Sequence, residues 1–271
     1  MGKFDGVLLA ADYDETLYGA ATGISPEDRA AIRQFIAQGG SFTVATGRSH
    51  RNFSIQMDRE DIPVNVPVIL SNGANIYDYK QGRLLFEGLL RPEVVADMAC
   101  VAEKFPKVGF EAYCRELVYV HNPNEVTQRH LGRAGLAGMP TPILKMPTPW
   151  TKAILQQTDL ALLQEVRAYM QEAFGDYYEV IFSNPVLLEL TAKGIHKGSA
   201  VLRLAEHLGI ARDHIYCVGN GENDIPMLAV SVEPFAPENC APVIRAFGAT
   251  ILPPVGESCL AELIHRLEER Y

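Results

Sequence analysis

The 271-residue chain sets 24 Lys and Arg against 33 Asp and Glu, a formal charge of −9, and is 48% apolar and 21% charged. That balance excludes a disordered chain, and its acidity disfavours nucleic acid or an anionic membrane surface as partner. The longest apolar runs fall far short of the roughly 20 residues that cross a bilayer, and at roughly 150 residues per domain the length suits two domains.

Met1 to Asp5 carry no apolar stretch of a secretory leader, so a cytoplasmic location is expected. The five cysteines, Cys100, Cys114, Cys217, Cys240 and Cys259, are an odd count without C-x-x-C spacing and suit reduced thiols. The first predicted element is an apolar strand, Gly6 to Ala11, running into Asp12-Tyr13-Asp14-Glu15-Thr16. Ser25-Pro26-Glu27-Asp28 supplies an N-cap, a proline at the first helical position and an acid at the third, opening a helix that continues to Gln38 and closes at Gly39-Gly40. A strand from Ser41 to Ala45 ends at Thr46-Gly47-Arg48-Ser49, and another from Pro67 to Leu70 ends at Ser71-Asn72-Gly73-Ala74. Short apolar strands alternating with helices argue for a parallel sheet, and ligands gather at the carboxyl ends of such strands, where all these polar clusters sit.

Past Gly73 the texture changes. Asn75 to Tyr79 and Arg83 to Glu87 flank Lys80-Gln81-Gly82 as a hairpin, followed by a helix near 92–105, paired strands near 108–113 and 116–121, and a helix around 125–133. Residues 135–151 carry Pro140, Pro142, Pro147 and Pro149 and read as a loop. A strand, helix, strand, strand series then covers 153–157, 159–174, 178–183 and 186–191. From Gly194 the α/β alternation returns: a helix over 198–208, a strand over 214–218, a polar loop over 219–224, a helix from Ile225, a strand near 249–252 and a terminal helix over 257–269. The expected fold is α/β, a doubly wound Rossmann-like parallel-sheet core of residues 1–80 and 190–271, interrupted by an inserted α+β cap domain at 81–189.

Asp12 and Asp14 alternate by two, so on an extended strand end their carboxylates share a face and attract a divalent cation. One can then serve as nucleophile and the other as acid and base, a division suited to attack at phosphorus. Alone, a D-x-D pair is more often a turn and cap device. Thr46 offers a hydroxyl and nearby N–H groups to a phosphate oxygen, Lys197 a compact positive charge, and Gly219-Asn220-Gly221-Glu222-Asn223-Asp224 further oxygen ligands. Each has an ordinary reading too: an N-cap, a solvated lysine, a turn before a helix. The seven histidines show no metal-binding spacing.

Together, and in this order, these pieces resemble the haloacid dehalogenase-like superfamily and its Cof-type sugar phosphatase branch. The D-x-D-x-T pattern is met by Asp12, Asp14 and Thr16, the second motif by Thr46 with Gly47 and Arg48, the third by Lys197 with Gly198, the branch's Asn-Gly pair by Asn72-Gly73, and the fourth by 219–224. The resemblance implies a phosphomonoester hydrolase with Asp12 as nucleophile and Asp14 as general acid/base. Mg²⁺ would be held by Asp12, Asp14 through its carbonyl, Asn220 and Asp224. A small phosphate ester would be held by Thr46, Gly47, Arg48, Asn72, Lys197 and Asn223. A phosphomutase or phosphotransferase and a non-catalytic phospholigand-binding protein are the alternatives. Two positions depart from the pattern: Asn220 stands where an Asp is usual, and Glu15 where a Gly is usual. Glu15 is expected to face solvent on extended chain. The sequence leaves substrate identity and oligomeric state open.

Overall fold

Leu8–Ala11, four apolar residues buried on both faces, form the inner strand β1, as a parallel strand covered on both sides requires. The computed structural model describes residues 2–271. After β1 come α1 (Pro26–Ala37), β2 (Ser41–Val44), α2 (His50–Glu60), β3 (Val68–Leu70), β4 (Asn75–Asp78) and β5 (Arg83–Glu87). They are followed by α3 (Val94–Lys104), β6 (Gly109–Cys114), β7 (Leu117–His121), α4 (Glu125–Ala134), β8 (Gly138–Pro140), β9 (Lys152–Gln156), α5 (Leu160–Phe174), β10 (Tyr178–Asn184) and β11 (Leu187–Ala192). The chain closes with α6 (Lys197–Leu208), β12 (Ile215–Val218), α7 (Ile225–Leu228), β13 (Pro234–Pro237), α8 (Pro242–Phe247), β14 (Thr250–Leu252) and α9 (Cys259–Arg270). Two compact units result, one of residues up to Arg48, Phe53–Phe86 and His196–Tyr271, the other of Ser49–Asn52 and Glu87–Ile195. The first division falls beyond position 80 because β5 joins β4 in a sheet of the first unit; the second falls at Ile195, after β11 of the second unit's sheet.

In the first unit a parallel sheet runs in the order β14-β13-β12-β1-β2. Helices cover both faces: Leu9, Ala11, Val44 and Val218 pack with Ile32, Phe35, Leu263 and Leu267 of α1 and α9, while Leu8, Ala10 and Cys217 pack with Val201 and Leu204 of α6. The sheet is therefore doubly wound. Ala11 pairs with Val218 on one side and Val44 on the other, which brings the carboxyl ends of β1, β2 and β12 level. The third predicted strand does not extend this sheet; β3 belongs to a separate β3-β4-β5 sheet and touches the main one through a single parallel bridge, Ala45 to Ile69.

The second unit is a six-stranded sheet, β10-β11-β9-β6-β7-β8. One face packs Phe110, Leu155, Leu188 and Leu190 against α3, α5 and the buried Trp150. The other carries a buried polar network: Lys152 donates to Glu189 at 2.8 Å, while Glu111 accepts from the Tyr113 hydroxyl at 2.8 Å and lies 3.0 Å from Nδ1 of His130 on α4. The proline-rich segment is more ordered than its composition predicts, contributing edge strand β8 and burying Ile143, Met146 and Trp150.

Three further elements escape the sequence patterns. In α2 the inward face is Asn52, Phe53 and Gln56, so polar residues mask its apolar period. Prolines at both ends of β13 argue against a strand, and α8 has only six residues. Among the described residues no helix is long and apolar enough to cross a membrane, and the five cysteines are free thiols.

Ser25 caps α1 through Oγ, which accepts from Asp28 N–H at 3.0 Å. Ser258, at the cap of α9, is left-handed and makes no cap bond; the buried Asp28 carboxylate instead accepts from Ala261 N–H at 2.8 Å. Asp28→Ala should cost about 1–2 kcal/mol in urea denaturation. Asp28→Asn, which keeps an acceptor without a charge whose ionisation burial disfavours, should cost less. Equal losses would show that the cap contributes nothing.

Candidate active site

Asp12 follows β1 directly and its N–H still donates to Val218 O at 2.9 Å, so the sheet fixes its backbone. β1 stops at Ala11, and the chain then turns tightly, with Tyr18 N–H donating to Tyr13 O at 2.8 Å and Glu15 N–H to Tyr18 O at 2.7 Å. The D-x-D segment is therefore not extended, and its two carboxylates reach different cations: Asp12 meets Lys197, Asp14 meets Arg48. Glu15 sits at φ +60° rather than on extended chain, a conformation that costs roughly 1–2 kcal/mol without glycine. Its side chain is exposed and accepts from Ala20 N–H at 3.2 Å, while its carbonyl accepts from Asn239 at 2.9 Å.

Lys197 opens α6 behind His196, whose Nδ1 accepts from Ser199 N–H at 3.1 Å while Ser199 Oγ accepts from His196 N–H at 3.1 Å. This reciprocal cap points the first turn at the end of β1. Lys197 Nζ donates to Asp12 Oδ1 at 2.5 Å and to Asp224 Oδ1 at 2.6 Å, and both Lys197 and Asp224 are fully buried. Two carboxylates thus share one ammonium out of water. Burial first, then the Asp224 charge, pushes the Asp12 carboxyl up to about 7, against the pull of Lys197. Burial alone would lower the Lys197 ammonium, but Asp12 and Asp224 outweigh it and hold the group well above its ordinary value.

Asp224 is also the staple of its own loop, since Oδ2 accepts from the N–H groups of Asn220 and Gly221 at 2.9 Å each. Both its oxygens are engaged, so its first task is to hold Lys197 and shape the 219–224 turn. Asn223 donates from Nδ2 to Asn72 Oδ1 at 3.0 Å. Asn72 in turn donates its N–H to Thr46 O, and Ser71 N–H donates to Arg48 O, both at 2.9 Å. The loops after β2, β3 and β12 are thereby tied into one rim. Thr46 Oγ1 accepts from Arg48 N–H at 3.1 Å, which leaves its own proton to donate, and Gly47 lies in the turn between them.

All the predicted residues fall on this rim. What sequence reasoning missed is the support beneath it: Gly73, where a Cβ would lie 2.4 Å from His196 O, and Gly198, where one would lie 2.0 Å from Pro226 O. Both glycines stand inside motifs of the sequence, Asn72-Gly73 and Lys197-Gly198, but nothing in the spacing shows that each makes room for a close main-chain approach.

The groups that the loops after β1 and β12 offer a cation are oxygens: the carboxylates of Asp12 and Asp224, the Asp14 carbonyl and the Asn220 amide. Among the described residues no trio of His, Cys, Asp or Glu gathers to hold a metal. One or two carboxylates with neutral oxygens and water is what Mg²⁺ accepts, and two buried carboxylates against one lysine leave a negative charge for a cation to neutralise.

A doubly wound sheet carrying a buried Asp–Lys–Asp cluster at its strand ends is an arrangement suited to phosphoryl transfer. The chain belongs to the haloacid dehalogenase-like hydrolases, whose family model matches residues 9–264. It is 26% identical over 264 residues to a Streptococcus pyogenes protein named for an expected phosphatase activity, covering 96% of this chain and 97% of that one. It is 22% identical to a 5-amino-6-(5-phospho-D-ribitylamino)uracil phosphatase of Bacillus subtilis, over 96% and 97% of the two chains. The fold superposes on that of a subclass IIB sugar phosphatase of the same superfamily with a TM-score of 0.82 at 22% identity, covering 96% of this chain and 98% of that one.

Proposed function

We propose that this chain is a Mg²⁺-dependent phosphomonoester hydrolase that works through an aspartyl-phosphate on Asp12, with sugar or sugar-acid phosphates as its substrate class. The observation that carries the reading is the buried Asp12–Lys197–Asp224 cluster, which holds a carboxylate oxygen in place at the end of β1. The names of the similar phosphatases support the substrate class.

In the first step an Asp12 oxygen bonds to phosphorus, the ester P–O bond breaks, and Asp14 gives its proton to the leaving oxygen. In the second, water attacks phosphorus and gives a proton back to Asp14, the Asp12–phosphorus bond breaks, and phosphate leaves. Lys197 and the Thr46 hydroxyl face the charge on the phosphoryl oxygens. Asp12, the Asp14 carbonyl and Asn220, with Asp224 behind them, would hold Mg²⁺. When bound, the ion neutralises charge between the anionic substrate and its anionic attacker.

The test is phosphate release across a panel of sugar phosphates and an aryl phosphate, with and without Mg²⁺, for wild type and Asp12→Asn. Turnover that needs both the ion and Asp12 supports the reading; turnover surviving in Asp12→Asn sinks it. Mg²⁺ binding is read separately from thermal stability. Burial holds the Asp12 carboxyl up to about 7, so protons compete with the ion, and the Tm gain from Mg²⁺ should grow between about pH 6 and about pH 8. An equal gain in Asp12→Asn would remove Asp12 from the metal site.

A further inference from the structure

Arg48 was expected to grip substrate phosphate, yet its guanidinium is already committed. Nε donates to Asp14 Oδ2 at 2.9 Å and Nη2 to Asp14 Oδ1 at 2.7 Å, two parallel bonds that fix both oxygens of the carboxylate. Beneath the fork lies the ring of Tyr13, 5.2 Å from the guanidinium carbon. That ring is itself fixed, stacked on Tyr18 at 5.1 Å and donating its hydroxyl to Gln56 on α2 at 3.3 Å. The Arg48 backbone is tied at both ends, its N–H to Thr46 Oγ1 and its carbonyl to Ser71 N–H. The arginine side chain is 19% exposed and the aspartate 50% exposed.

Asp14 needs such support. It stands on a turn beside the strained Glu15 rather than in the sheet, and unlike Asp12 it is not engaged by Lys197. A half-exposed aspartate without a partner samples several rotamers, and an acid that must reach one leaving oxygen loses rate with each misdirected one. We infer that Arg48 is a positioning residue for the general acid/base: its fork orients the Asp14 carboxylate, coupling it to the loop that presents Thr46, and does not bind the phosphate. The inference rests on the proposed phosphatase reading, in which Asp14 protonates the leaving group.

Leaving-group dependence of the first step separates the two roles. An aryloxide departs without a proton and an alkoxide does not, so loss of acid orientation lowers kcat/KM, which covers steps only through loss of the leaving group, on alkyl esters, whereas loss of a phosphate contact lowers it on every ester alike. The second step, in which Asp14 takes a proton from water, is common to all esters and enters kcat alone. The experiment compares wild type, Arg48→Gln and Arg48→Lys with Mg²⁺ present, on p-nitrophenyl phosphate and on the best alkyl sugar phosphate of the panel, and measures competitive inhibition by inorganic phosphate.

In Arg48→Gln, kcat/KM on the alkyl ester should fall about 100-fold and kcat/KM on the aryl ester less than about 10-fold, with phosphate inhibition within about 3-fold of wild type. Lysine keeps the charge but cannot form the fork, so Arg48→Lys should follow the same pattern and serves where the glutamine variant folds poorly. In an Asp14→Asn background, Arg48→Gln should add less than about a 3-fold loss on the alkyl ester. Equal losses of kcat/KM on both esters, or phosphate inhibition weakened about 10-fold or more, would overturn the inference and return Arg48 to the phosphate. A wild type that releases no phosphate from any ester would sink the phosphatase reading itself, an outcome distinct from an active enzyme with uniform losses.

Discussion

Lys197→Met should lower kcat for phosphate release by about 10³-fold or more and destabilise the fold by roughly 3–5 kcal/mol. Lys197 is fully buried and its ammonium is shared by Asp12 and Asp224. Methionine fills a similar volume without the charge, so two carboxylates are left facing each other out of water. They respond by keeping protons. A carboxyl whose folded value lies above its unfolded value contributes stability at low pH and loses it as pH rises. The burial and Asp224 charge that already raise Asp12 to about 7 act unopposed once the lysine is gone. The stability deficit of Lys197→Met against wild type, read from urea denaturation, should therefore widen from about pH 5 to about pH 8. Mg²⁺ should recover part of the stability and little of the rate, because the ion supplies charge near Asp12 but not an ammonium against the phosphoryl oxygens. A variant with wild-type kcat, or a deficit independent of pH, would show that the cluster does not act as one electrostatic unit. Combined with Asp12→Asn, Lys197→Met should add little further loss of kcat, since residues serving one step are not additive.

The location of the candidate site was legible because its residues sit in short polar clusters at predictable strand ends. Asp12, Thr46, Lys197 and Asp224 lie far apart in sequence, yet a parallel sheet with level carboxyl ends brings three of their loops together by topology alone. Pairings within that rim were not legible. Whether Arg48 faces phosphate or Asp14, and whether Asp224 serves a metal or Lys197, depends on side-chain directions that spacing does not encode. Glu15 shows the same limit: its side chain is exposed as expected, but not through alternation along a strand, because the strand ends at Ala11 and the turn imposes φ +60°. In the second unit the alternation of β6 and β9 is visible, but Glu111, Lys152, Gln156 and Glu189 occupy buried positions that a hydrophobicity pattern assigns to solvent. They are inside because they satisfy one another, a fact held in pairs across strands rather than in either strand.

Gly73→Ala is expected to lower kcat about 100-fold and to cost roughly 2–4 kcal/mol, although the residue carries no reactive group. Two penalties coincide there. Its φ of +99° is strained for any side chain, and the added Cβ would lie 2.4 Å from His196 O and 3.1 Å from Lys197 N, both main-chain atoms with little room to yield. His196 O cannot retreat freely, because it accepts from Ser199 Oγ at 2.9 Å and from Ala200 N–H at 3.1 Å in the first turn of α6. Relief must come from moving that turn, and Lys197 goes with it. A shift of about 1 Å at a group that orients the reacting atoms is enough for a loss of this size. Gly82→Ala separates the two penalties: its φ is +63° but nothing lies within 4 Å of the added Cβ. That variant should lose about 1–2 kcal/mol from backbone strain and keep the wild-type kcat. If Gly73→Ala matched Gly82→Ala in both stability and rate, the close approach of this loop to α6 would not be what sets Lys197 in place.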